Sequence, residues 1–305
     1  MFLIKKPFLR YHPFTQFLIL IMAAFSLGML CTFLSYFVLK FAYNIDLLQS
    51  QNVLYTYKSA NPLRIYLALS NSLGLFGLPA FWFLSLQNDY GIKHLFTQKI
   101  DFARYLSLFL LMIVATPVVY FAYKLNKAIE LPAAFHALET FMKNMELEAE
   151  VATETLLKMP NVSDFLLNIL VVALLPAIAE ELFFRGAMQQ IFFQLFRNKH
   201  LTIWVVAILF SALHLQFYGF FPRMFLGAMF GYLYLWSGNI LVPILAHFIN
   251  NAGAVVLAYL HGKNLIQIQE EDLLNAPVYV YATATLATVA LLRFMYQKRF
   301  VPRVV

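Results

Sequence analysis

The chain has 305 residues, of which 62% are hydrophobic and 12% charged, with a formal net charge of +7 and a mean hydropathy of +0.71. Soluble domains run near about 45–50% apolar and about 25% charged, and a chain of this size needs a mostly polar skin. The composition therefore excludes a soluble enzyme, a disordered chain, a disulfide scaffold and a collagen. Unbroken apolar runs of about twenty residues favour spanning helices over an outer-membrane barrel.

Lys5, Lys6 and Arg10 precede a first apolar run at 16–39, which is too long for a cleaved signal peptide and reads as an anchor. The single cysteine, Cys31, falls inside this run, so neither a disulfide nor a thiolate metal cluster is expected. Further runs cover 65–86, 105–125, 163–189, 201–221, 223–237, 240–260 and 277–296. They bring the expectation to about eight spans, with Pro222-Arg223 read as a tight turn between the fifth and sixth.

The segment 126–161, between the third and fourth runs, differs. Phe135, Leu138, Phe141, Met142 and Met145 recur at helical spacing, with Glu139, Glu146, Glu148 and Glu150 between them. This pattern predicts an amphipathic helix lying at the membrane surface or capping the bundle. The fold expected is thus all-α, a polytopic transmembrane bundle. Its parts are an N-terminal region 1–162, a core 163–260, and a last span with a basic tail at 261–305.

Loop charge sets an orientation. With the N-terminus inside, the inner segments hold Lys5, Lys6, Arg10, Lys93, Lys99, Arg104, Arg197, Lys199, Arg293, Lys298, Arg299 and Arg303. The outer ones hold Lys40, Lys58, Arg64, Arg223, and Lys263 beside Glu270, Glu271 and Asp272. This bias predicts both termini in the cytoplasm. It also explains the basic net charge through membrane topology, so no nucleic-acid partner is expected.

Ionisable groups inside a span are costly and by default mark function. They gather in Glu180-Glu181-Leu182-Phe183-Phe184-Arg185, at His214 after an apolar run, and at His247 with Asn250 and Asn251. At about 100° per residue, Glu181 and Arg185 share a helix face and can pair, which leaves Glu180 free for chemistry. His247 and Asn251 share another face, and Phe210 lies on the same face as His214. A carboxylate with two imidazoles can activate water by general base catalysis, or hold a catalytic metal as Glu180, His214 and His247. The same groups would also serve a proton-coupled transporter or a non-catalytic membrane scaffold. No internal repeat supports the transporter reading.

The ordered set Glu180-Glu181-x-x-x-Arg185, Phe210-x-x-x-His214 and His247-x-x-x-Asn251 resembles the CAAX protease and bacteriocin-processing family (CPBP, or ABI), which includes the type II CAAX prenyl endopeptidase. The resemblance covers 163–260 and implies an intramembrane endopeptidase acting on membrane-associated or hydrophobic peptides, with membrane lipid and a protein or peptide substrate as partners. It implies that Glu180 and His214 activate water, that His247 and Asn251 stabilise the oxyanion, and that Glu181, Arg185 and Phe210 support them. It leaves open a zinc ion or a metal-free glutamate mechanism. It further implies a bacterial cytoplasmic membrane location. Neither a His-Glu-x-x-His helix nor a Gly-x-Ser-x-Gly elbow is present.

Overall fold

A computed structural model describes residues 11–48, 53–56, 60–87, 91–96, 101–129, 132–267 and 270–297. Lys5, Lys6, Arg10, Lys58, Lys99, Lys298, Arg299 and Arg303 lie outside these described residues. The elements that build the site are α1 (Pro13–Tyr43), α2 (Asn61–Leu86), α3 (Phe102–Lys127), α4 (His136–Leu157) and α5 (Val162–Phe196). They are followed by α6 (Lys199–Ala212), α7 (Phe220–Ser237), α8 (Leu241–Gly262) and α9 (Val278–Gln297). Apart from one isolated bridge, Phe96 with Asn239, the described residues form no β-structure. The chain is a helical, multi-pass membrane bundle.

Among the described residues, six helices are long and apolar enough to cross a membrane: α1, α2, α3, α5, α8 and α9. The two remaining segments of the expected eight are shorter. α6 has 14 residues, about 21 Å, and α7 has 18, about 27 Å, against a hydrocarbon core of about 30 Å. Their boundary also lies elsewhere than expected. The chain turns at 213–219, with Leu215 at a positive φ of 54°, and α7 already starts at Phe220. Pro222 and Arg223 therefore sit in the first turn of α7, not between two spans. A proline is tolerated there because the first-turn N–H groups have no intrahelical acceptor to lose.

Local signals set the other boundaries. The side chains of Asp101, Asn161 and Asn198 accept from backbone N–H groups of the helices they precede, and so cap α3, α5 and α6. Arg197 and Gly238 end α5 and α7 in left-handed conformation.

Lipid is as apolar as leucine, so these helices associate through close packing and polar contacts rather than through burial from water. Where α1 meets α2, a Cβ on Gly74 would come within 2.6 Å of Cys31 Cβ and 3.2 Å of Gly28 Cα. Only glycine permits that approach. Arg64 on α2 is buried and reaches α5, giving Nε to Asn168 Oδ1 at 2.8 Å and Nη1 to Asp164 Oδ1 at 2.6 Å. Asn168 in turn donates to Leu156 O at the end of α4, at 2.5 Å.

α5 lies at the centre. Its Phe183, Phe184, Ala187, Met188 and Ile191 pack with Leu20 and Ala24 of α1, Phe76, Ala80, Phe83 and Leu84 of α2, and Val206 and Phe210 of α6. A second cluster joins Leu108, Leu111 and Met112 of α3 to Met229, Phe230 and Leu233 of α7 and to Val242 and Ala246 of α8. α4 meets the bundle through Leu156 and leaves Phe135, Leu138, Phe141 and Leu147 exposed.

Candidate active site

Three elements supply the predicted polar groups: α5, the end of α6, and α8. α5 departs from regular α-geometry on both sides of its two glutamates, with π-helical turns at Ile169–Leu174 and Leu182–Met188. Such wide turns concentrate at functional sites because they redirect side chains and release carbonyls from the regular ladder.

Glu181 and Arg185 are both fully buried and form the expected pair, with Nη1 at 2.9 Å from Oε1. Arg185 Nη2 donates to Gly227 O of α7 at 2.8 Å. Its guanidinium also lies 4.9 Å from the Phe210 ring centroid and 5.6 Å from that of Phe230, so aromatic faces share its charge. The pair is therefore wedged between α5, α6 and α7.

Glu181 has a second partner that helical spacing did not reveal. His247 Nδ1 lies 2.9 Å from the same Oε1. A carboxylate only accepts, so Nδ1 is the donor and Nε2 faces away from the pair. The imidazole stacks on Phe230 at 5.3 Å and 22°, and meets Phe210 edge-on at 6.1 Å. Its orientation is fixed on two sides.

Glu180 stands apart from this cluster, as its position in the helix predicts. Its Oε2 is buried without a hydrogen-bond partner and lies 4.0 Å from His214 Nε2. His214 Nδ1 is 2.8 Å from Phe210 O. A carbonyl oxygen can only accept, so Nδ1 carries the hydrogen, and Nε2 of the neutral ring presents a lone pair toward Glu180. Phe210 holds the ring from the side as well, at 5.0 Å. The glutamate and histidine thus form a pair of acceptors separated by more than a hydrogen bond, a spacing that a bridging water fits.

Asn251 is four residues beyond His247 on α8, and its Nδ2 donates to Val172 O at 3.3 Å. Val172 belongs to the first π-helical turn of α5, so that turn supplies the acceptor. Asn250 donates to Asn251 Oδ1 at 3.1 Å. The structure therefore joins Glu180 to His214, joins Glu181 to Arg185 and His247, and links Asn251 to α5.

The conditional metal set of Glu180, His214 and His247 is not assembled. Among the described residues no three His, Cys, Asp or Glu side chains group closely enough to hold a metal ion. His247 Nδ1 is engaged by Glu181 and His214 Nδ1 by Phe210 O, which leaves Nε2 of each ring uncommitted.

Two further contacts at the site were not singled out from sequence. Glu146 on α4 accepts from Tyr218 N at 3.1 Å, so the amphipathic helix holds the loop that follows His214. Arg223 Nη2 donates to Gln216 Oε1 in the same loop. A lone arginine between apolar runs was the available signal for Arg223. The contact of Glu146 spans 72 residues and has no local signature.

Residues 162–253 match the family described as Rce1-like, type II CAAX prenyl endopeptidase Rce1-like. The chain is also 34% identical over 89 residues to the uncharacterized protein YpbD of Bacillus subtilis (strain 168). That likeness covers 28% of this chain and 42% of the relative, so the chain spans less than half of the protein it matches. No solved structure matches. It is over residues 162–253, the stretch that carries Glu180, Glu181, Arg185, Phe210, His214, His247 and Asn251, that this multi-pass membrane protein is similar to the Rce1-like family.

Proposed function

We propose that the chain is an intramembrane endopeptidase, with 163–260 as its catalytic core, that hydrolyses peptide bonds of membrane-associated or hydrophobic protein and peptide substrates. The observation that carries this reading is the pair of facing acceptors, Glu180 Oε2 and His214 Nε2, 4.0 Å apart. A water between them donates one O–H to each, which turns its lone pair outward toward a substrate carbonyl. Glu180 then takes the proton as the water adds to the carbonyl carbon, and passes it to the leaving amine.

The negative oxygen of the tetrahedral intermediate needs donors that are already in place. Asn251 retains a second amide N–H beyond the one given to Val172 O. His247 offers Nε2–H in its protonated form, with Nδ1 fixed on Glu181. Arg185 compensates the Glu181 charge, so Glu181 acts as the anchor of His247 and not as a second base. No step in this sequence requires a metal.

The positive-inside bias of the loops supports a bacterial cytoplasmic membrane with both termini on the cytoplasmic side. Single-turnover cleavage of an apolar peptide pool in H₂¹⁸O, read by mass spectrometry, tests the reaction class. One ¹⁸O in the carboxyl group of the new C-terminus supports hydrolysis in which Glu180 does not donate its own oxygen to the product. Unlabelled product or no cleavage contradicts it.

A further inference from the structure

Arg223 is a charged residue within the bundle that the hydrolytic sequence above does not use. Its Nη2 is engaged by Gln216 Oε1, but Nη1 is buried and has no hydrogen-bond partner. Gln216 lies two residues after His214, whose Nε2 faces Glu180 Oε2 at 4.0 Å, yet the structure shows no ion pair between Arg223 and Glu180. The site and the loop beside it therefore hold an unmatched acceptor, Glu180 Oε2, and an unmatched donor, Arg223 Nη1, with both atoms shielded from the surroundings.

Leaving such atoms unpaired in a low-dielectric interior is costly, and more so for charged groups. A native structure tolerates them where a ligand or water completes them. Glu180 is matched by the attacking water. What matches Arg223 must supply an acceptor close to that water. If Arg223 only tied down the 213–219 loop, the Gln216 bond through Nη2 would suffice and Nη1 would have no need to remain buried and open.

We propose that Arg223 is a substrate-holding residue, whose Nη1–H donates to a backbone oxygen of the bound peptide beside Glu180. The oxygen is a peptide carbonyl or a terminal carboxylate, which present the same acceptor chemistry. Gln216 fixes the other arm of the guanidinium, so that Nη1 has one direction to offer. The inference rests on the endopeptidase reading for its ligand.

The test measures binding separately from cleavage. A fluorescein-labelled apolar peptide pool, made once as free acids and once as C-terminal amides, is titrated by anisotropy against the full detergent-purified chain carrying Glu180→Gln. Adding Arg223→Gln should weaken binding about 10- to 100-fold, the range for a lost charge-assisted hydrogen bond. Adding Arg223→Lys should restore part of the loss. A loss shared by both peptide forms assigns the contact to a carbonyl; a loss confined to the free acids assigns it to the carboxylate.

Unchanged affinity for both forms in a folded Arg223→Gln protein overturns the inference. If that variant does not fold, Arg223→Lys carries the test, and unchanged affinity there overturns it equally. Arg223-dependent binding by a wild-type chain that never cleaves would leave the inference standing and sink the protease reading. Cleavage with the same KM in wild type and Arg223→Gln would do the reverse. A wild-type chain that neither binds nor cleaves the pool overturns both.

Discussion

Glu180 Oε2 and His214 Nε2 face each other at 4.0 Å, and the glutamate oxygen has no other protein partner. Both atoms are acceptors, since the hydrogen of His214 is committed to Phe210 O. Two acceptors do not stabilise one another, so the arrangement serves a third group that donates to both. Replacing His214 with Gln should lower kcat about 10²- to 10⁴-fold with little change in KM, because one of the two groups that orient the water is lost. Steady-state kinetics on a fluorogenic apolar peptide check this, and a rise in KM alone would contradict it.

The Glu181–Arg185 pair makes a different prediction. Both side chains are fully buried, and Arg185→Ala leaves a carboxylate without its cation. Removing one member of a buried pair costs about 3–5 kcal/mol. The variant should be less thermostable and poorly expressed, as read by fluorescence-detected size exclusion after heating. Glu181→Gln should be milder in stability, yet it should impair turnover per folded molecule because His247 loses a charged anchor. A fully active Glu181→Gln protein would contradict the anchoring role.

Asn251→Ala should reduce kcat about 10²- to 10³-fold, the usual effect of removing one oxyanion donor. Peptide affinity measured in the Glu180→Gln background should hardly change. A large loss of affinity would instead make Asn251 a ground-state binding residue.

Metal removal should leave turnover intact. The described residues do not bring three ligands together, so chelation with phenanthroline, followed by elemental analysis of the same sample, should give a metal-free active protein. Activity lost on chelation and restored by zinc would contradict this.

Far from the site, Arg64 ties α2 to α5 through Asn168 and Asp164. Arg64→Ala should cost about 3–5 kcal/mol of stability, because Asp164 and the buried amide lose their partner together. The KM of the folded fraction should remain unchanged.

What could be read from the sequence was what is local. Glu181 and Arg185 lie four residues apart on a helix, and helical periodicity alone makes them neighbours. The polar residues stand out because charge is scarce in an apolar chain, and the spacing of Phe135, Leu138 and Phe141 marks the helix at His136–Leu157. What could not be read is set by tertiary packing. His247 reaches Glu181 across 66 residues, and Asn251 reaches Val172 across 79. Periodicity says which face a residue occupies but not which helix that face meets. The boundary between α6 and α7 is hidden in the sequence for a related reason. The apolar residues Leu213, Leu215 and Phe217 lie in the turn, so hydropathy continues where the helix has ended, and Arg223 reads from the sequence as a turn residue.

The central claim is that Glu180 is the base. The direct measurement is single-turnover cleavage of the fluorogenic peptide pool by wild-type and Glu180→Gln protein in detergent, with thermal melting and peptide binding recorded on the same samples. The account predicts a folded Glu180→Gln chain that binds peptide at wild-type affinity and cleaves it at least about 10²-fold more slowly. A folded Glu180→Gln chain that cleaves at the wild-type rate would contradict it.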